Sequence, residues 1–139
     1  MIPTQGAVRS FSDKAISMFP IKMRLFQVAW TSSADTNGGA DLFTCVTDID
    51  ITGWIHEIET DPDGTTAPTA AYDITLINAN GRDVAGGALA NRSATATEIV
   101  KPLVNSIQQK VISHGPLTIT ITAAGDEKKG ELLIYYEPF

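Results

Sequence analysis

Leu117-Thr118-Ile119-Thr120-Ile121-Thr122-Ala123 alternates apolar and polar residues without a break. A period of two puts every second side chain on one face of a strand, so Leu117, Ile119 and Ile121 point inward while the threonines point out. After Gly125–Gly130 comes a second run, Glu131-Leu132-Leu133-Ile134-Tyr135-Tyr136-Glu137. The two runs and the glycine-bounded turn between them predict a C-terminal hairpin.

The same reading extends upstream. Tyr72, Ile74 and Leu76 alternate inward with Asp73 and Thr75 outward, and Asn80-Gly81 follows as a hairpin-type turn. Ile49 to Thr60 reads as one long strand, with Ile49, Ile51 and Ile55 on one face and Trp54, His56 and Ile58 on the other. Gly53 within it marks a bulge or a close crossing. Leu42–Thr47 is a short strand, and Pro20–Trp30 is a strand whose apolar side switches midway. Arg82–Ala85 is a short extended piece, Thr95–Val104 reads as extended, and 107–112 fits strand or helix. Composition agrees: 15 Ile, 7 Val and 16 Thr stand against 8 Leu. β-branched residues suit a pleated surface and lose χ1 freedom in a helix. The expectation is an all-β chain, a jelly-roll-like antiparallel β-sandwich of about eight strands spanning residues 20–139. Residues 1–19 read as an extended N-terminal arm, with one short helical turn over Ser12–Phe19.

The 139 residues suffice for one domain. A net charge of −6 argues against a nucleic-acid-binding face. No stretch approaches the roughly 20 apolar residues of a membrane span, and the first residues lack the pattern of a secretory signal. One cysteine, Cys45, permits no internal disulfide and suits a reducing cytoplasm. It reads as a small buried apolar residue.

Catalytic patterns are missing. His56 and His114 with Cys45 cannot supply a zinc site. Asp61-Pro62-Asp63-Gly64 begins like a calcium loop, but Thr66 and Tyr72 fall where Gly and Glu are needed, so it reads as a turn. Gly125 and Gly130 have phosphate-loop spacing, but Glu131 stands where a Lys is required. Glu57 and Glu59 share a strand face, a pairing that is usually a solvated strand end. The expectation is no enzyme, no cofactor and no metal.

Charge is segregated. Residues 1–24 carry +3, residues 25–81 carry nine acids and no Lys or Arg, and residues 82–139 balance six against six. The arm is also apolar, through Ile2, Val8, Phe11, Ile16, Met18 and Phe19.

The order of a strand from Tyr72 to Asn78, the turn at Asn80-Gly81 and the loop Gly86-Gly87-Ala88-Leu89-Ala90-Asn91-Arg92 is distinctive. With Thr97–Leu103, Gly115–Gly125 and Gly130–Tyr136, it resembles small virion proteins of tailed bacteriophages. More narrowly, it resembles the capsid cementing, or decoration, proteins of short-tailed phages, over about the second half of the chain. The resemblance implies a jelly-roll protein on the outside of an icosahedral shell. It also implies bridging of neighbouring major capsid proteins and pairing with itself, a homodimer before a trimer. It implies no cofactor, no nucleic acid and no membrane, with synthesis in the host cytoplasm. On that reading Ile2, Val8, Arg9, Phe11 and Phe139 are the candidate capsid contacts. Another virion part, of tail or head-completion type, and a carbohydrate-binding module are the alternatives.

Overall fold

The computed structural model describes residues 7–16, 22–32, 42–46 and 50–139, with side chains for all of these except 7–11 and 42–46. Among the described residues there are strands and turns but no helix, and so no helix long and apolar enough to cross a membrane. The strands are β1 (Ala7–Ala15), β2 (Arg24–Thr31), β3 (Leu42–Val46), β4 (Gly53–Pro62), β5 (Asp73–Ile77) and β6 (Glu98–Val100). They continue as β7 (Leu103–Val104), β8 (Ile107–Gln108), β9 (Val111–Ser113), β10 (Thr118–Thr122) and β11 (Lys129–Pro138).

One sheet runs β1-β2-β11-β4-β6, with β9 also pairing β4; a second runs β3-β10-β5; β7 and β8 form a small hairpin. All of these pairings are antiparallel. The core lies between the two larger sheets. Phe26, Val28 and Trp30 of β2, Ile55 and Ile58 of β4, and Leu132, Ile134 and Tyr136 of β11 pack there. They meet Ile74 and Leu76 of β5 and Ile119 and Ile121 of β10. Trp30 and Tyr72 join the layers, their rings 5.8 Å apart. The all-β, antiparallel sandwich expected from the alternation is the architecture found.

Several details differ. The expected C-terminal hairpin does not form: β10 lies between β3 and β5, whereas β11 lies between β2 and β4. The connecting residues cross from one sheet to the other through Ala123, Gly125 and Glu127, all at positive φ. Alternation says which side chains face inward, and two facing sheets satisfy it as well as one hairpin does.

On β4, Ile58 is in the core with Ile55, not opposite it. Tyr135 pairs Glu57 and Tyr136 pairs Ile55, so a bulge at His56 shifts the phase by one residue. The short helical turn is absent at Ser12–Ala15, which belongs to β1; residues 17–20 lie outside the described residues. Part of the expected arm is thus an edge strand paired with β2 along its length. The extended piece at Arg82–Ala85 is reduced to a single bridge between Ile77 and Asp83. The extended region around Pro102 divides into β6 and β7, and 107–112 divides into β8 and β9.

The predicted turns are present. At Asn80-Gly81, Gly81 adopts φ +82° and donates its amide to the Asn78 carbonyl at 2.9 Å. At Asp61–Gly64 the turn is made by Asp63, whose Oδ2 accepts the amides of Thr65 and Thr66 at 3.0 and 2.7 Å.

Candidate docking face

The two sheets present very different outer faces. On β10 the outward residues are Thr118, Thr120 and Thr122, set opposite Ile77, Thr75 and Asp73 of β5. A threonine ladder of this kind is ordinary solvated strand surface.

The outer face of the larger sheet follows from its registers. Trp54 is opposite Glu137 on one side and Ile112 on the other. Tyr135 is opposite Glu57 and Leu25. Leu133 is opposite Glu59 and Gln27, and Glu59 is opposite Ile99. Leu25, Ala29 and Leu133 are buried yet stand apart from the inter-sheet core. The apolar side chains this face leaves accessible are the half-buried Trp54 and Tyr135 and the exposed Ile99, Ile112 and Phe139, with Glu57, Glu59, Glu137 and Lys101 among them.

At one corner the aromatic character is strongest. Phe139 is 71% exposed and meets Trp54 edge-on at 6.3 Å between ring centres. The Lys110 ammonium sits 4.7 Å above the Trp54 ring, a cation–π contact. Around them His56 Nε2 approaches Glu137 Oε1 at 3.4 Å, and Lys101 Nζ approaches Glu57 Oε1 at 3.4 Å. His56 is thus a partnered strand residue, as expected, and Glu57 is a solvated ion-pair member. Tyr135 has its hydroxyl pKa raised, first by burial and then by Glu59 and Glu57.

A cleft of about 380 Å³ lies at the opposite end of the sheet, lined by Asp61, Pro62, Asp63, Gly64, Gly130 and Glu131. Its carboxylates are engaged in the fold. Asp61 Oδ1 accepts Thr97 Oγ1 at 2.9 Å, Asp63 caps its turn, and Glu131 Oε2 accepts Gln27 Nε2 at 3.0 Å. Among the described residues no group of three or more His, Cys, Asp or Glu is placed to hold a metal ion.

Inside the sandwich, Tyr72 Oη and Thr60 Oγ1 are buried without a hydrogen bond of normal geometry to a described residue. Burial pushes the Tyr72 pKa up to about 12, and nearby Thr60 opposes the shift. The Tyr136 pKa is also pushed up to about 12, by burial and by its bond to Asp13. Between pH 10 and 12 the native chain therefore keeps two protons that the unfolded chain releases. Stability is expected to be level up to about pH 9 and to fall across pH 10–12, by about 2.7 kcal/mol per pH unit at most from Tyr72 and Tyr136 together, with Tyr135, raised in the same direction, adding to the fall. Chemical denaturation at stepped pH measures this. The Tyr72→Phe variant should show a shallower fall and little loss at pH 7, because no described residue hydrogen-bonds the hydroxyl with normal geometry.

Of the candidate contacts read from the sequence, Phe139 lies exposed at one corner of this outer face, against Trp54. Val8, Arg9 and Phe11 lie on β1, with side chains outside the described residues, and Ile2 lies outside them altogether. The Cys45 side chain is likewise outside them. Sequence reading did not single out Trp54, Ile99 and Ile112 on this outer face. Their signal was a second apolar phase on strands whose first phase already fills the core. Comparison with family models, with curated proteins and with solved structures returns no match.

Proposed function

We propose that this chain is a virion structural protein that docks on the outside of an icosahedral phage capsid. There it cements neighbouring major capsid proteins and stabilises the expanded shell. The observation that supports this most is the asymmetry of the sandwich: one outer face is a threonine ladder, the other presents the half-buried Trp54 and Tyr135 beside exposed Ile99, Ile112 and Phe139. A cement protein needs one such face and no catalytic centre. The jelly-roll connectivity and the location on the capsid exterior belong to the same proposal.

The mechanism is linkage. A protein that binds the expanded shell and not its precursor stabilises the expanded state by mass action. Repetition around a shell multiplies the effect of each modest contact. The basic N-terminal segment and the acid-rich middle of the chain suit neighbours of different charge. Removing residues 1–19 would delete β1 as well as the arm, so arm contributions are separable only upstream of Ala7.

The test is co-sedimentation with purified shells. Saturable binding to expanded shells at a copy number in the hundreds is expected, with little binding to unexpanded precursors. Shell disruption should also move to higher temperature. Absence of binding to expanded shells overturns the proposal, and saturation at six or twelve copies indicates a neck or tail part instead.

A second reading has a specific observation in its favour. Trp54, Tyr135 and Phe139 lie on one sheet face, the arrangement by which carbohydrate-binding modules stack on sugars. Glycan-array binding that is lost in Trp54→Ala, without shell binding, would select that reading.

A further inference from the structure

We propose that the Asn80-Gly81 step just beyond β5 is a self-modification site, where asparagine converts to aspartate or isoaspartate without an enzyme, at a rate set by Asn78. The reaction is a property of the chain itself and does not depend on shell attachment.

The chemistry needs only the chain and water. The Gly81 nitrogen gives up its proton and bonds to Asn80 Cγ. The Cγ–Nδ2 bond breaks, and Nδ2 leaves with that proton as ammonia. Water then opens the cyclic imide at either carbonyl, which restores the Gly81 N–H and leaves a carboxylate. Nothing is oxidised or reduced.

The turn presents the reacting groups to solvent. Asn80 and Gly81 are both exposed. Gly81 sits at φ +82°, and nothing lies within 4 Å of the position that a Cβ would take. Any other residue would crowd the attacking nitrogen with its own side chain. The Asn80 carboxamide has no hydrogen-bond partner among the described residues, so its Cγ is free to turn toward that nitrogen.

The other described asparagines differ. Asn78 Oδ1 accepts the amides of Asn80 and Arg82, each at 3.0 Å, so its carboxamide is committed to the turn. Asn91 precedes Arg92, whose amide donates to the Tyr72 carbonyl at 2.7 Å. Asn105 precedes Ser106, which carries a side chain. A further Asn-Gly step, Asn37-Gly38, lies outside the described residues.

Asn78 also restrains the reaction. The Gly81 amide donates to the Asn78 carbonyl at 2.9 Å, and the Asn78 amide donates to the Arg82 carbonyl at 2.9 Å. With the two bonds to Asn78 Oδ1, every one of these ties involves Asn78. Attack on Asn80 therefore waits for a local opening of the turn. The product places a carboxylate where a neutral amide stood, in a stretch, residues 25–81, that already carries nine acids and no Lys or Arg. Isoaspartate also lengthens the backbone of the turn by a methylene.

Peptide mass spectrometry of the full-length chain, held for weeks at neutral pH in heavy-oxygen water, tests this. Asn80 is expected to take up solvent oxygen at least about tenfold faster than Asn78, Asn91 or Asn105, because of these four it alone precedes glycine. Asn78→Ala removes both side-chain bonds and should speed conversion of Asn80 by about fivefold. Asn78→Asp keeps an accepting oxygen and should return the rate to that of the wild type, which separates the grip of the turn from general loosening. Asn80→Gln should silence the position. An Asn80 that takes up no label, or no more than Asn91 and Asn105, overturns the site. A rate unmoved by Asn78→Ala, or raised equally by Asn78→Asp, overturns the role of Asn78.

Discussion

Gly53→Ala is expected to destabilise the chain by about 4 kcal/mol, a loss of about 15 °C in melting temperature for a domain of this size. Gly53 opens β4 at φ +153°, a conformation that L side chains rarely adopt. An added Cβ would collide with the Glu137 carbonyl oxygen and crowd the Pro138 Cα at 2.7 Å. Both are backbone atoms, so no rotamer change relieves the overlap. Strain of about 1–3 kcal/mol for the dihedral and a similar cost for overpacking combine. Relief requires the end of β11 to move away from β4, which would also withdraw Phe139 from Trp54. The variant should therefore lose the Phe139–Trp54 contact as well as stability. Gly64→Ala is the control: nothing lies within 4 Å of its added Cβ, and a change within about 0.5 kcal/mol is expected. Thermal melts of the two variants, with Trp54 fluorescence as a local probe, check both parts.

Asp13→Ala is expected to cost about 3 kcal/mol and to loosen β1 selectively. The Asp13 side chain is only 5% exposed. Its Oδ1 accepts Arg24 Nε at 2.9 Å, and its Oδ2 accepts the Tyr136 hydroxyl at 2.6 Å. Arg24 Nη2 also donates to the Asp13 carbonyl at 3.2 Å. One carboxylate thereby ties β1 to β2 and to β11, two strands away. The Arg24 pKa is raised, first by Tyr136 and then by Asp13, which places the guanidinium within this network. Truncation leaves the buried Tyr136 hydroxyl without a partner and removes a charge-assisted bond, and the first of these dominates because Arg24 can return to water. Tyr136→Phe removes one bond and keeps the Asp13–Arg24 pair, so about half the loss is expected. Hydrogen exchange distinguishes a local latch from a global weakness: in Asp13→Ala, amides of β1 should exchange faster by a larger factor than those of β10. Equal acceleration in both strands would show that the network does not hold β1 in particular.

Much of this was legible in the sequence, and residue by residue the reason is the same. Leu117, Ile119 and Ile121 alternate with threonine, and all three are buried. Tyr72, Ile74 and Leu76 behave likewise. These are one-sided strands, for which a period of two is enough. The outer face of the larger sheet was less legible because β2, β4 and β11 carry apolar residues in both phases. Leu25 beside Phe26, Trp54 beside Ile55 and Leu133 beside Leu132 cannot be divided by alternation into core and exterior. The bulge at His56 adds a phase change whose cause lies in pairing with Tyr135 and Tyr136, some eighty residues away. β1 was hidden because its residues alternate poorly and gain their place by pairing with β2 and by the Asp13 network.

The sequence by itself determined the all-β class and the inward residues of β5 and β10. It also determined the turns at Asn78–Arg82 and Asp61–Thr66, since each of these is a local property of side-chain period, β-branching or turn chemistry. Only the tertiary structure decided that β10 and β11 part into different sheets. Only the tertiary structure made β1 an edge strand and set Trp54, Ile99 and Ile112 on one outer margin. Those outcomes depend on which faces bury each other across long chain separations, and a period of two carries no information about the partner.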